Sequence, residues 1–83
     1  MKVENVGRII GISDLNVRVV LLENDVKIGD ILSCDLNGEQ RRFEVVEIDA
    51  NIATTIPFET VIGLKKGIEL DLVERRSFNW VFW

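Results

Sequence analysis

Carboxylates are the reactive groups this chain holds in quantity: 14 Asp and Glu stand beside 10 Lys and Arg, one cysteine, no histidine and no tyrosine. Paired carboxylates serve acid–base chemistry when one is kept protonated and the other ionised. Glu44, Glu47, Glu69 and Asp71, however, recur at the alternate positions where a strand presents its solvated face. Glu59 is the one carboxylate in the loop beside Pro57 and Phe58, so a carboxylate enzyme would be tested there first. A Ser-His-Asp triad and a Cys-His nucleophile both need a histidine, and a lone Cys34 gives no zinc set. No Gly-x-x-x-x-Gly-Lys-Ser/Thr loop is present. Gly7-Arg8-Ile9-Ile10-Gly11 lacks the third glycine and the strand-to-helix setting of a dinucleotide site. The expectation is a chain without catalytic residues, cofactor or metal.

Binding chemistry is little richer. A net charge of −4 works against a phosphate backbone, whose affinity comes from counterions released by a basic surface. Lys65-Lys66 and Arg41-Arg42 are adjacent pairs without interleaved aromatics and are expected on a solvated rim. Cys34 is expected as a small core filler with no activating neighbour. The exception is the end of the chain, where Phe78, Trp80, Phe82 and Trp83 crowd four aromatics into the last six residues. Solvent does not favour such a cluster, so something is expected to cover it. The tail could cap its own barrel, add a strand to its own sheet, dock on a partner by β-augmentation, or be an end foreign to the native gene.

The elements that must carry these residues are strands. Val6, Arg8, Ile10 and Ile12 alternate with Gly7, Ile9 and Gly11, a strand whose glycines let a neighbouring backbone come close or mark a bulge, and after a Ser13-Asp14 turn Val17, Val19 and Leu21 repeat the period of two. Ile31 to Asp35 reads as a third strand, entered through Gly29. Asn37-Gly38 then supplies the two residues of a type I′ hairpin, and the return arm runs from Gln40 to Ile48. Within that arm the apolar phase slips between Val45 and Val46, which predicts a β-bulge. Ile52, Thr54 and Ile56 make a fifth strand ended by Pro57, which cannot donate to a ladder. An excursion through Gly63 and Gly67, turn glycines needing positive φ, leads to a sixth strand with Leu70 and Leu72.

No helical spacing is sustained over ten residues, so the reading is all-β. Six short strands with glycines at the corners favour a small closed barrel, which removes exposed edges. The expected core is Ile10, Val19, Leu21, Val45, Ile52, Ile56, Leu64, Ile68 and Leu70. At 83 residues there is room for one domain, taken as residues 1–76, with 77–83 as the aromatic tail. The longest uncharged run, Ala50 to Phe58, is far short of the roughly 20 residues of a membrane span. No apolar leader follows Met1 and one cysteine forms no internal disulfide, so a cytoplasmic setting is expected.

Four segments carry a resemblance to a known family: Gly7-Arg8-Ile9-Ile10; Val26-Lys27-Ile28-Gly29-Asp30-Ile31-Leu32; Phe43-Glu44-Val45-Val46-Glu47-Ile48; and Pro57 to Gly67 with its Pro-Phe, Gly-Leu and Gly series. In this order, across about Val6 to Val73, the chain resembles the N-terminal β-barrel of the rotary and type III secretion ATPases, which HerA-type translocases share. The resemblance implies a six-stranded barrel that packs side by side into a hexameric crown and holds no catalytic residue. The chain departs from the family after Arg76, where those ATPases continue into a P-loop domain. Motor activity therefore does not carry over, and the implied role is an assembly module whose partners are identical barrels or an ATPase. The alternative is an OB-like or SH3-like barrel that takes a peptide or single-stranded nucleic acid through Trp80, Trp83 and the arginine pairs.

Overall fold

The structure is a computed structural model that describes residues 2–75. Phe78, Trp80, Phe82 and Trp83, and with them the tail 77–83, lie outside the described residues. Six strands follow one another: β1 Val3–Ile12, β2 Val17–Leu21, β3 Ile31–Leu36, β4 Glu39–Asp49, β5 Ile52–Pro57 and β6 Glu69–Glu74. All pairings are antiparallel and the sheet closes on itself in the order β1-β2-β5-β4-β3-β6. The chain is therefore a closed six-stranded β-barrel, as its period-two patterning predicts.

Turn chemistry fixes the register. Asn37 and Gly38 have φ of 55° and 86° and join Leu36 to its partner Glu39, the tight connection whose twist suits two antiparallel strands. Ser13 ties the β1–β2 turn, accepting from the Asn16 amide at 3.2 Å and donating its own amide to the Asn16 carbonyl at 2.9 Å. Gly63 and Gly67 have φ of 90° and 96° in the β5–β6 connection, which Pro57 opens at the end of β5.

Bulges decide which residues face inward. In β4 the register shifts between Val45 and Glu47, leaving Val46 as the extra residue and returning Ile48 to the core. The slip in apolar phase had this cause. Two further irregularities lie in β1, whose glycines were expected to allow a close backbone approach or mark a bulge: one near Asn5, where φ is 57°, and one between Ile9 and Gly11 that makes Ile10 the extra residue. As a result Val6 and Ile9 are buried while Ile10 is exposed, a correction to the expected core.

β5 needs the larger correction. Ala53 and Thr55 point into the barrel, so Ile52, Thr54 and Ile56 line its outside. Ile56 is 47% exposed and Ile52 half-buried, although both were expected inside. The interior is filled by Phe43, Leu32, Leu70, Leu72 and the valines of β1, β2 and β4. Opposite those large side chains β5 contributes small ones, and the Thr55 hydroxyl donates to the Val17 carbonyl at 2.8 Å. That bond removes the usual penalty for a buried hydroxyl and lets Thr55 act as an interior residue. Val19, Val45, Leu64 and Leu70 are buried as expected, and Leu21 and Ile68 pack against the core.

The two long connections close the barrel. Val26, between β2 and β3, is buried at the end where β6 finishes; Leu64, between β5 and β6, is buried at the end where β6 begins. The first connection is laced to β4, the Gly29 amide donating to the Val45 carbonyl and the Val45 amide to that of Asp30. The second is laced to β1, the Gly67 amide donating to Ile9 and the Ile9 amide to Ile68.

Candidate assembly surface

The carboxylate and arginines that the sequence singled out are engaged in contacts that hold loops. Glu59 accepts from the Arg42 amide at 2.7 Å through Oε1, and from Arg42 Nε and Nη2 at 3.0 and 2.7 Å through Oε2. Burial acts to raise its pKa, but the Arg42 amide, guanidinium and charge together outweigh it and hold the carboxyl below the usual range. A residue so held is an anion with its lone pairs occupied, suited to fixing a loop rather than to giving up a proton. Arg42 also lies over the Phe58 ring, 5.0 Å from its centroid.

Arg41 is a correction. Rather than standing on a solvated rim, it is buried in the inward phase of β4 beside its β3 partner Cys34. Its Nη1 donates to the carbonyls of Thr60 and Ile62, both at 2.8 Å, and Nη2 reaches Glu39 at 3.4 Å. A planar guanidinium can hold two carbonyls of an irregular loop at once, which is why a cation sits inside this end of the barrel. Cys34 is buried, and burial raises its thiol pKa despite the opposing charge of Arg41, with Asp35 and Asp71 adding to the rise. It is a filler and a poor nucleophile at neutral pH. At the other end Arg75 donates to the Asp25 carbonyl at 2.8 Å and to its carboxylate at 3.0 Å, with Asp30 3.8 Å away. Arg41 and Arg42, the pair that a nucleic-acid reading would use, and Arg75 are thus all engaged with carbonyls or carboxylates. Among the described residues no group of His, Cys, Asp and Glu is placed to hold a metal ion.

What the fold does expose is apolar surface. Turning β5 outward places Ile52, Ile56 and, just beyond the strand, Phe58 along one line on the outside of the barrel. Val20 of β2 lies opposite Ile52, Val46 bulges from β4, and Ile10 bulges from β1. Ile10 and Val46 are each 37% exposed, Phe58 43%. Charge divides across this stripe. On the β2 side stand Arg18 and, on β1, Arg8, the latter paired with Glu69 at 3.5 Å; on the β4 side stand Glu44, Glu47 and Asp49, with Arg42 beside Phe58. The rows Arg18–Thr54–Glu47 and Arg8–Val20–Ile52–Asp49 each run from basic to acidic across the apolar centre. Sequence reasoning missed this surface by assigning Ile52 and Ile56 to the core; the small side chains of Ala53 and Thr55, which suit the interior of a narrow barrel, are the signal that points the other way.

The chain matches no protein-family model and no curated protein. Among solved structures it is similar to the assembled ATPase EscN of the enteropathogenic E. coli type III secretion system, with a TM-score of 0.64 and 28% sequence identity over 84% of this chain. The matched part amounts to 16% of the EscN chain. Together with the closed six-stranded antiparallel barrel, this likeness fits the N-terminal barrel domain of such an ATPase. No helix among the described residues is long and apolar enough to cross a membrane.

Proposed function

We propose that the chain is an assembly barrel: a non-catalytic unit that associates with identical barrels, or with an ATPase, as the N-terminal barrel of a hexameric P-loop ATPase does. The likeness to EscN over 84% of the chain carries this reading. Two features of the barrel support it. Arg41, Arg42, Glu59 and Arg75 are tied up in fixing loops, and the outer surface carries an apolar stripe flanked by Arg18 on β2 and by Glu44, Glu47 and Asp49 on β4. Surfaces of that kind mark protein contacts. The tail residues Phe78, Trp80, Phe82 and Trp83 are proposed as a second contact element, and a cytoplasmic setting is proposed on the same likeness.

Sedimentation equilibrium into the high micromolar range, on the full chain and on one ending at residue 76, tests the reading. A mass that rises with concentration is expected for the full chain. Loss of that rise on truncation assigns the contact to the tail; retention assigns it to the barrel wall. A full chain that stays strictly monomeric counts against self-assembly.

A further inference from the structure

We propose that the outward face of β5 takes the aromatic tail, Phe78 to Trp83, of a second copy of this chain set beside it. The inference rests on the assembly reading above and names the two surfaces that meet.

Closure restricts how the tail can dock. The sheet offers it no edge to extend, in its own barrel or in another, so the aromatics have to dock through side chains on a wall. Ile52, Ile56 and Phe58, flanked by Val20 of β2 and Val46 of β4, supply an apolar row along one wall. In an extended chain Phe78, Trp80 and Phe82 share one face, a row of the same period that can lie along it.

Reach decides whose tail it is. β6 ends at Glu74, and Arg75 is pinned to the β2–β3 connection, donating to the Asp25 carbonyl at 2.8 Å and to its carboxylate at 3.0 Å. β5 begins at this end of the barrel, and Ile56 and Phe58 lie towards the other. β5 is also three strands from β6 in either direction round the barrel. A chain running outside the side chains, at about twice the backbone radius, covers roughly 30 Å in that half turn before it climbs β5. Trp83 stands eight residues beyond Arg75 and lies at most about 29 Å from it. The tail therefore does not lay its aromatics on Ile56 and Phe58 of its own barrel. A neighbour with its β5 turned towards this β6 brings them within reach. Tail and stripe leave from opposite walls, so each copy can give a tail to one neighbour and take one from the other, the heterologous contact that side-by-side packing requires.

The charges agree with this placement. Glu47 and Asp49 stand exposed on β4 beside Thr54 and Ile52, at the end where the tail arrives with Arg76 at its root. Arg42, at the Phe58 end, is held by Glu59 at 2.7 Å, and Arg8 by Glu69 at 3.5 Å.

Complementation between two full-length variants tests this by sedimentation equilibrium. Ile56→Lys spoils the face and Trp80→Ser/Phe82→Ser spoils the tail, and each alone is expected to lose at least about tenfold in association. Unchanged melting temperatures serve as the folding control. Mixed in equal amounts, the two are expected to associate with each other to within about threefold of the parent and to stop at a pair, since one brings an intact tail and the other an intact face. Both tryptophans of the chain lie in the tail, so parent emission should move to the blue as concentration and mass rise together. A mixture no more associated than its components, or either variant associating as the parent does, overturns this inference and leaves the assembly reading standing. Emission that is already blue in the dilute monomer and stays constant assigns the tail to its own barrel and overturns it as well. A parent that is monomeric throughout overturns both this contact and self-assembly.

Discussion

Gly7 stands where no side chain fits. A Cβ built on it would lie 2.6 Å from Val19 Cγ1 and 3.1 Å from the Val20 carbonyl oxygen, against a β-branched neighbour that is itself fully buried. Gly7→Ala is therefore expected to cost about 1 to 3 kcal/mol, and trimming Val19 in the same chain should make the double variant less unstable than the two losses added together. Chemical denaturation of the four forms measures it. Arg41 makes the second residue-scale case. Removing it strands the carbonyls of Thr60 and Ile62, so Arg41→Ala is expected to lose about 1.5 to 3 kcal/mol, with Arg41→Lys recovering only part because a point charge replaces a fork. Glu59 adds a pH dependence whose sign follows from its pKa, lower in the folded chain than in the unfolded one. Its contribution is present above the unfolded value, near pH ~4.3 for a free glutamate, and is lost as pH falls through the folded value. Glu59→Gln should therefore melt below the parent at neutral pH, and the gap should close as the solution is acidified below pH ~4.

At the scale of elements, β5 and β6 make contrasting predictions. Leu70 is fully buried, and Leu70→Ala is expected to cost about 2 to 5 kcal/mol; Ile56 points outward, and Ile56→Ala should fall within about 0.5 kcal/mol of the parent. Equal losses at the two positions would mean that β5 is turned inward after all. The difference between these strands also explains what the amino-acid pattern could convey. Alternation gave β6 and β2 with their correct faces, Asn37-Gly38 gave the hairpin, and the phase slip at Val45-Val46 gave the β4 bulge. Alternation failed at β5 because it registers hydrophobicity alone. A narrow barrel rewards small residues opposite large ones, and Ala53 and Thr55 suit that interior better than the isoleucines beside them. In β1 the alternation was broken by bulges near Asn5 and at Ile10, which carry no apolar signature. Arg41 was misjudged for a related reason: its partners are backbone carbonyls of a loop 19 and 21 residues further on, which no local pattern encodes.

For the whole molecule, closure is what frees the outer surface to assemble. Each strand of this barrel has two bonded neighbours, so the sheet leaves no edge for another chain to extend, and association must work through side chains on the wall. Wall contacts of that kind are sensitive to which side chains a strand turns outward, and β5 turns out its isoleucines while sealing the interior with Ala53 and Thr55. Such a surface should weaken assembly without weakening the fold when it is made polar. Ile56→Lys, which places a charge on the stripe at an exposed position, is therefore expected to leave the melting temperature of dilute protein within about 4 °C of the parent, since exposed substitutions shift stability by about 0.5 kcal/mol or less. At high micromolar concentration the same variant should sediment as a monomer where the parent associates. Calorimetry and sedimentation on one preparation separate the two effects. A variant that unfolds early would assign Ile56 to the core, and one that associates as the parent does would move the contact away from β5, towards the aromatic tail.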